Sequence, residues 1–475
     1  MVHPASRVQG WRGAAPVVLR HAVLLAALES GLLLLLTHNV SADPYLYDEA
    51  DYMYAASLGL FANYTDRPSI SLADFLRAGW TGNQERGQRR ALSQLIRGGN
   101  DVLFYRHWHG PLYHYLLIPV SRLGLNERGV RSAMFAIPAA SLAVLYLGCL
   151  WLVPGPAGIA AAILTSVLFL SSHAVVWSTE LAPHQLFALC SLASLVFLLK
   201  AITARRRAYW YLSVVMAALA FCTLEIAIVL AAPLAVCAIW ERCGWRFAGA
   251  SLALFSATVF ALWPAAILKL SFLKAYGVMA YLALFRESPW GNTGFLETWR
   301  MRFLDSPVEW AVVLAGLALY FRTGRPRIYP LALFALLMMA ATLRVLTSTP
   351  RYSLPWMPAL DFLAGLALYP AIGRLRRPAS FAVVALAVMA LYGTACFQVV
   401  SHRHKPNPRH AAVLTYIHQN KLENKAFLVP QEDLPTLHYY LPGARLRGYY
   451  GQMPASSQDF HPDAILYPGD PPRLE

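Results

Sequence analysis

The sequence predicts an α-helical protein that crosses a membrane many times and carries a small α/β domain at its C-terminal end. Only 14% of the 475 residues are charged, and the mean hydropathy is +0.44, whereas soluble proteins carry about 25% charged residues. The apolar residues form repeated long runs, which stop before residues 401–475. Too few charges remain to cover a soluble surface, so we expect the runs to lie in a bilayer.

Eleven apolar runs are predicted to span the membrane, because about 20 apolar residues cross the hydrocarbon core. The predicted spans are 17–37, 131–152, 157–177, 182–199, 208–222, 224–240, 247–267, 308–321, 328–346, 353–371 and 379–399. Several are short, and the pair between 208 and 240 could form one kinked unit. The run at 111–124 is expected to lie at the interface or to dip into the membrane.

Basic clusters predict the orientation of these spans. If 111–124 does not span, the N-terminal arginines and every short basic loop fall on the cytoplasmic side, as the positive-inside rule requires. These basic loops are 200–207, 241–246, 322–327 and 373–377. The outer face then receives the loop 38–130, the turn 178–181, the loop 268–307 and the tail. We expect a multi-pass protein of the inner (plasma) membrane, with a cytoplasmic N-terminus and a periplasmic or external tail.

The net charge and the cysteines exclude some other classes of function. The charge of +15 comes from clusters that orient the spans, so we expect no nucleic-acid partner. Six cysteines lie in or beside apolar runs without a CxxC or other metal-ligating spacing. We expect them to be small buried apolar residues.

The tail has a different pattern from the rest of the chain. "RHAAVLTYIHQN" and "EDLPTLHYYLP" are predicted helices, and "KAFLVP" and "DAILYP" are predicted strands. Helix and strand patterns that alternate at this spacing favour a small α/β domain. The predicted organisation is therefore a membrane domain, 1–400, followed by an external α/β domain, 401–475.

Candidate functional residues begin in the first outer loop. "YDEADYMY" contains Asp48 and Glu49, which either belong to an active site or stabilise the first turn of a helix. "YRHWHGPLYHY" adds His107, His109 and His114. Their spacing is not a specific metal signature, so solvated or interfacial histidines remain the alternative.

Further polar residues are predicted at the same face or in the membrane. "STELAPHQ" contains Glu180 and His184, and "TSTPRYSLPW" contains Arg351 and Tyr352. Arginine suits bidentate binding of phosphate, although a lipid headgroup contact is the simpler role. Lys269 and Lys274 also face outward, and Glu225 lies between two apolar runs, where a charge needs a partner or a wet cavity.

The order of these motifs resembles the GT-C superfamily of glycosyltransferases that use polyprenyl-phosphate sugars. The resemblance spans about residues 17–375 and rests on "YDEADYMYAASLG", "HGPLYHYLLIPVSRLGLNERGVRSAMFAIPAA", "STELAPHQL" and "RYSLPWMPAL". The most similar groups are the protein O-mannosyltransferases and the lipid A aminoarabinose transferases. The resemblance implies a GT-C-like membrane bundle with juxtamembrane helices in the first outer loop.

The resemblance also implies roles for matching residues. Asp48 would act as the general base with Glu49 in support, and Glu180 would bind the acceptor or a metal. Arg351 would hold the lipid phosphate, with Tyr352, Lys269, Lys274 and His184 as further candidates. His109 lies at a motif in which Gly110 replaces a proline of the family pattern. Glu225 is acidic where many relatives are basic.

The implied reaction is transfer of a sugar from a polyprenyl phosphate to an acceptor hydroxyl, with inversion at the sugar carbon. The acceptor could be a protein, a lipid or a glycan, and no cofactor is required by the pattern, although a divalent metal ion stays open. The alternatives are a lipid-linked sugar transporter or flippase, a glycan polymerase or ligase, and a scaffold that binds through its tail. A transporter often shows related halves, and the sequence has no internal repeat.

Overall fold

The computed structural model describes most of the helical part of the chain and the strands of the tail. The described residues are 5–57, 59, 109–264, 266, 300, 303–323, 328–342, 350–374, 377–401, 408–430, 433–449, 462–467 and 473–474. The predicted site residues His107, Lys269 and Lys274 lie outside these ranges.

Helices form nearly all of the described part of residues 1–401. They are α1 (Ala5–Asn39), α2 (Asp48–Ser57), α3 (Leu112–Ser121), α4 (Glu127–Ala133), α5 (Ala136–Leu152), α6 (Pro156–Ser171), α7 (His173–Val176), α8 (His184–Ala204), α9 (Arg207–Phe221), α10 (Ala231–Trp240), α11 (Trp245–Leu262), α12 (Pro307–Thr323), α13 (Tyr329–Thr342), α14 (Met357–Arg374) and α15 (Arg377–Ser401). Short 3-10 turns cover Glu225–Leu230 and Pro350–Ser353. Each predicted span overlaps one of these helices.

Within the described residues, five helical stretches are long and apolar enough to cross a membrane, and five shorter helices are also apolar. The helix α8 is the most buried of the long ones and packs against α5 and α9. A helix that is apolar all round must be covered by protein or by lipid. Close crossings use small residues, as at Gly316 of α12, where an added Cβ would collide with Ala364 of α14. The predicted class, a mostly helical multi-span protein, is confirmed.

The ends of several helices meet at one end of this bundle. Asn39, the last residue of α1, donates a side-chain hydrogen bond to the Val176 carbonyl over 2.8 Å. The backbone N–H of His173 lies 3.3 Å from the Ser306 hydroxyl, just before α12. Residues at the ends of α1 and α7 and at the start of α12 therefore lie close together, whereas the predicted orientation of the spans in the membrane stays a prediction. We call this the site end of the bundle.

The doubtful run at 111–124 forms α3, a ten-residue helix that is about 15 Å long. This length is too short to cross a bilayer of about 30 Å. Its start is attached to the bundle, because the Leu112 N–H donates to the Cys222 carbonyl over 3.0 Å. A Cβ at Gly110 would collide with that same carbonyl, so glycine permits the close approach. This contact gives a physical reason for glycine where the family pattern has proline.

The described residues of the tail form a four-stranded sheet with two helices. The helices are α16 (Pro408–Gln419) and α17 (Leu434–Tyr440), and the strands are β1 (Ala426–Pro430), β2 (Arg445–Tyr449), β3 (Ala464–Tyr467) and β4 (Arg473–Leu474). The strand order is β2-β1-β3-β4, with β1 parallel to β2 and β3, and β4 antiparallel to β3. Its core includes Ile417, Phe427, Val429 and Leu437. The sheet contains both predicted strands, and β2 and β4 are additional.

Candidate active site

Arg351 connects the first and second acidic motifs at the site end. Its two terminal nitrogens lie 2.7 Å from Asp48 Oδ2 and 3.1 Å from Glu180 Oε2. Asp48 is the first residue of α2, Glu180 lies in the turn before α8, and Arg351 belongs to the 3-10 turn before α14. The Tyr352 ring lies 5.2 Å from the guanidinium carbon in a cation–π contact. Three motifs that are up to 303 residues apart thus form one charged cluster.

The two carboxylates of the cluster are accessible to solvent, whereas its guanidinium is mostly buried. The side chain of Arg351 is 14% exposed, whereas those of Asp48 and Glu180 are 55% and 36% exposed. Burial alone would lower the pKa of Arg351, but Glu180, Tyr352 and Asp48 raise it, so the guanidinium stays charged. Burial raises the pKa of Glu180 and the negative charges of Glu49 and Asp48 add to this, although Arg351 lowers it. A buried cation with two accessible acids can exchange partners with an incoming anion.

Arg351 also keeps donor capacity for a ligand. Among the residues that the structure describes, its Nε is buried without a hydrogen-bond partner. A guanidinium carries five N–H donors in a planar fork that matches phosphate oxygens. The site therefore retains a cationic donor in addition to the two ion pairs.

His184 closes the cluster behind Tyr352. Its ring meets the Tyr352 ring edge-on, with centroids 5.2 Å apart, and only 8% of the residue is exposed. Its Nδ1 has no hydrogen-bond partner within the described ranges. His184 is thus close to the predicted phosphate-binding residues, but it contacts them through aromatic packing and not through an ion pair.

His109 and Glu225 form a separate pair. His109 Nδ1 lies 3.2 Å from Glu225 Oε1, and both side chains are partly exposed. Burial lowers the pKa of His109, but the charge of Glu225 and its hydrogen bond raise it more, so the net shift is upward. The acidic residue that departs from the family pattern therefore has a cationic partner when His109 is protonated. Neither residue is in hydrogen-bond contact with Arg351 in the structure.

Glu49 does not share the position of its neighbour Asp48. It is 5% exposed and forms a bidentate ion pair with Arg131, with Nε–Oε1 and Nη2–Oε2 distances of 2.9 and 2.6 Å. Its Oε1 also accepts a hydrogen bond from the Leu181 backbone N–H over 2.7 Å. Glu49 thus joins α2, α4 and the turn that carries Glu180. Both of its carboxylate oxygens are already bound, and its supporting role in catalysis stays a prediction.

Two residues of the site were missed in the sequence. Arg131 stands in "NERGVRSA", within a stretch that carries the family resemblance, but it is absent from the predicted site residues. Asp51 follows Asp48 by three residues and so lies on the same face of α2. The pKa of Asp51 is raised to about 7, because burial and the charge of Asp48 raise it by more than His114, His438 and His109 lower it. The i, i+3 spacing of the two aspartates was the available signal.

The described residues do not form a ligand set for a metal ion. No group of three or more His, Cys, Asp or Glu side chains comes together within these ranges. The two accessible carboxylates of the cluster, Asp48 and Glu180, both contact Arg351. The arrangement provides an anion site built on Arg351.

Residues 108–268, roughly a third of the chain, match a family model described as dolichyl-phosphate-mannose-protein mannosyltransferase. No curated protein matches the chain in sequence.

Solved structures share the fold at low sequence identity. ArnT from Cupriavidus metallidurans in the apo state superposes with a TM-score of 0.59 at 15% identity, covering 92% of this chain and 86% of ArnT. ArnT from the same organism, bound to undecaprenyl phosphate, superposes with a TM-score of 0.61 at 15% identity. This match covers 90% of this chain and 85% of ArnT. The apo oligosaccharyltransferase of Archaeoglobus fulgidus superposes with a TM-score of 0.56 at 12% identity, and the match covers 90% of this chain and 64% of the oligosaccharyltransferase. The chain therefore shares its fold with these structures, and its residues 108–268 resemble the mannosyltransferase family.

Proposed function

We propose that the protein transfers a sugar from a polyprenyl phosphate to an acceptor hydroxyl at the site end of the bundle, with inversion at the sugar carbon. The contact of Arg351 with both Asp48 and Glu180 is the observation that carries this proposal. It combines a cation for a phosphate leaving group with a carboxylate that can accept a proton. The structure of ArnT with undecaprenyl phosphate supports the class of donor.

The leaving group is the first chemical requirement. When the bond between the sugar carbon and the phosphate oxygen breaks, the phosphate takes the bonding electrons and gains negative charge. Preorganised cationic donors stabilise such a charge most strongly where water is excluded. Arg351 meets this need because it is mostly buried and keeps an unpartnered Nε among the described residues. Phosphate would then displace or share the carboxylates that now contact the guanidinium.

The nucleophile is the second requirement. The Asp48 side chain is 55% exposed, and its Oδ2 lies 2.7 Å from Arg351 Nη2. As phosphate binds Arg351, the Asp48 carboxylate becomes free to accept the proton of the acceptor hydroxyl while that oxygen attacks the sugar carbon. One displacement forms one bond and breaks one bond, so the configuration at the carbon inverts. Glu180 would hold the other side of the guanidinium or the acceptor.

The expected location follows from the lipid donor and the basic loops. A long isoprenoid chain requires a groove in the membrane, which the multi-span bundle can provide. The basic loops favour an orientation with the site end outside, in the periplasm or at the cell surface. The acceptor would then be a glycan, a lipid or a protein of the cell envelope.

The test compares purified wild type, Asp48→Asn and Glu241→Gln in lipid nanodiscs. Glu241 is an exposed carboxylate remote in sequence from the site motifs and is the matched control. Release of free polyprenyl phosphate from a panel of polyprenyl-phosphate sugars is measured with an envelope acceptor fraction. We expect wild type and the control to be active and Asp48→Asn to be slower by about 10²–10⁴-fold.

Each of the other possible outcomes would favour a different function or a different role for Asp48. Equal release by wild type and Asp48→Asn would remove Asp48 as the base. Translocation of a lipid-linked sugar without any release would support a transporter. Extension of a glycan on its own lipid carrier would support a polymerase or ligase.

A further inference from the structure

The segment that leads into Asp48, residues 41–47, is held from the bundle side by one arginine. Arg131 donates hydrogen bonds to the backbone carbonyls of Ser41, Asp43 and Pro44 over 3.1, 2.8 and 3.4 Å. The same guanidinium binds Glu49 beyond the end of this segment. The membrane domain thus satisfies backbone acceptors on the approach to α2.

The tail domain satisfies the backbone donors of the same segment. The Tyr45 N–H donates to the Tyr440 hydroxyl over 2.8 Å, and the Tyr47 N–H donates to the Thr436 hydroxyl over 3.1 Å. The Tyr440 hydroxyl in turn donates to Glu127 of α4 over 2.9 Å. Both hydroxyls belong to α17, and Thr436 is fully buried. The two domains therefore hold one stretch of backbone between them.

Tyr47, directly before Asp48, has a left-handed backbone with φ of 47°. This region is unfavourable for a residue other than glycine, and such a conformation persists only where surrounding contacts impose it. The Tyr47 carbonyl accepts from the Asp51 N–H over 3.2 Å, which is a first helical hydrogen bond of α2. The conformation of Tyr47 consequently sets the direction in which α2 begins and in which Asp48 leaves the backbone.

We propose that Thr436 and Tyr440 of the tail domain are positioning residues for Asp48, so that the tail domain is part of the catalytic unit. This inference rests on the proposed function of Asp48. A domain that only covered the site would not need hydrogen bonds to the main-chain N–H groups before the catalytic residue. Here two of its hydroxyls bind those groups, at the strained residue and two residues earlier.

The aromatic contacts support the same arrangement. The Tyr45 ring stacks on Tyr440 with a centroid distance of 6.3 Å and meets Tyr439 edge-on at 5.4 Å. Within α2, the Tyr54 ring stacks on the His438 ring with a centroid distance of 5.9 Å. These ring contacts fix the position of α17 along α2, and the two hydroxyl hydrogen bonds then fix the backbone conformation.

The test uses variants of the full-length protein in nanodiscs that keep the shape of the side chain. Thr436→Val removes the hydroxyl, Thr436→Ser restores it, and Tyr440→Phe removes both hydrogen bonds of Tyr440. Thr415→Val, at an exposed position of α16 in the same domain, is the control. We expect Thr436→Val and Tyr440→Phe to lower kcat by about 10- to 100-fold, as for a small misplacement of a catalytic group. The KM for donor and acceptor should change less than threefold, and Thr436→Ser should stay near wild type.

A second measurement reports on the segment without using activity. Hydrogen exchange at the Tyr45 and Tyr47 amides should become faster in Thr436→Val, while exchange in α8 stays unchanged. Binding of undecaprenyl phosphate should also be retained, which separates mispositioning from unfolding. Unchanged exchange in this segment would overturn the proposal even if kcat fell.

The failures of the two proposals are distinguishable. If wild type is active, Asp48→Asn is inactive and Thr436→Val matches wild type, then only the positioning role is overturned. An equal loss in Thr436→Val and in Thr436→Ser, which keeps the hydroxyl, would show that the loss does not depend on the hydrogen bond and would also overturn it. If Asp48→Asn is as active as wild type, then the proposed function of Asp48 fails, and the positioning role fails with it.

Discussion

Replacing Arg131 with methionine tests how α2 is anchored to the bundle. Methionine has a similar length and no charge, so the change removes the ion pair but keeps part of the packing. In the structure Arg131 makes two short contacts with Glu49 and three hydrogen bonds with backbone carbonyls. Glu49 would then remain 5% exposed, with the Leu181 N–H as its remaining described hydrogen-bond donor.

The magnitude follows from the charge that is left behind. Removing one partner of a buried ion pair costs about 3–5 kcal/mol, because the other charge stays buried without compensation. The three carbonyls also lose a donor, which places the expected effect at the upper end of this range. At about 2 °C per kcal/mol, the melting temperature should fall by roughly 6–10 °C.

The assay is thermal unfolding of the purified protein in a fixed detergent, followed by intrinsic fluorescence. Arg128→Met is the control, since Arg128 is exposed on the same short helix and makes one hydrogen bond with the Thr37 carbonyl over 3.2 Å. We expect a shift below about 2 °C for this control. The double variant Arg131→Met/Glu49→Leu should recover part of the lost stability, because it removes the orphaned charge. A melting temperature of Arg131→Met within 2 °C of wild type would refute the reasoning.

Three further predictions concern a close contact, a buried acid and a pH dependence. Gly110→Ala should lower the free energy of unfolding by about 1–3 kcal/mol through overpacking, which would appear as a lower melting temperature. Gly244→Ala is the control and should leave the melting temperature unchanged, because an added Cβ there meets nothing within 4 Å. Asp361→Val should raise the free energy of unfolding by about 1–4 kcal/mol, since both buried oxygens of Asp361 lack a hydrogen-bond partner in the described part of the chain. A lower melting temperature of this variant would contradict the prediction and would reveal a stabilising partner of Asp361. The pKa of His109 is raised above its unfolded value by Glu225, so this pair stabilises the fold below about pH 6.5 and loses its effect as pH rises through the folded pKa. The melting temperature of Glu225→Gln should therefore be lower than that of wild type at pH 6 and equal to it at pH 9, and a constant difference would contradict the pairing.

Much of the architecture could be predicted because it depends on local patterns. An apolar run is a property of consecutive residues, so each predicted span coincides with a helix. The start of α2 at Asp48 follows from three acidic residues in one turn, which favour a helix N-terminus. The tail strand β2 was missed, because "RLRGY" alternates charged and apolar residues at the edge of a sheet and lacks a continuous apolar run.

By itself, the sequence determined the class of the protein, the order of its spans and the motifs that gather at one end of the bundle. The tertiary structure decided which acid meets which cation. Adjacent residues of one helix turn, Asp48 and Glu49, contact different arginines, Arg351 and Arg131. The physical reason is that an ion pair depends on distance and burial in space, and these partners lie 303 residues (Asp48 and Arg351) and 82 residues (Glu49 and Arg131) apart along the chain. The left-handed Tyr47 and its contact with the tail domain depend on the same long-range packing.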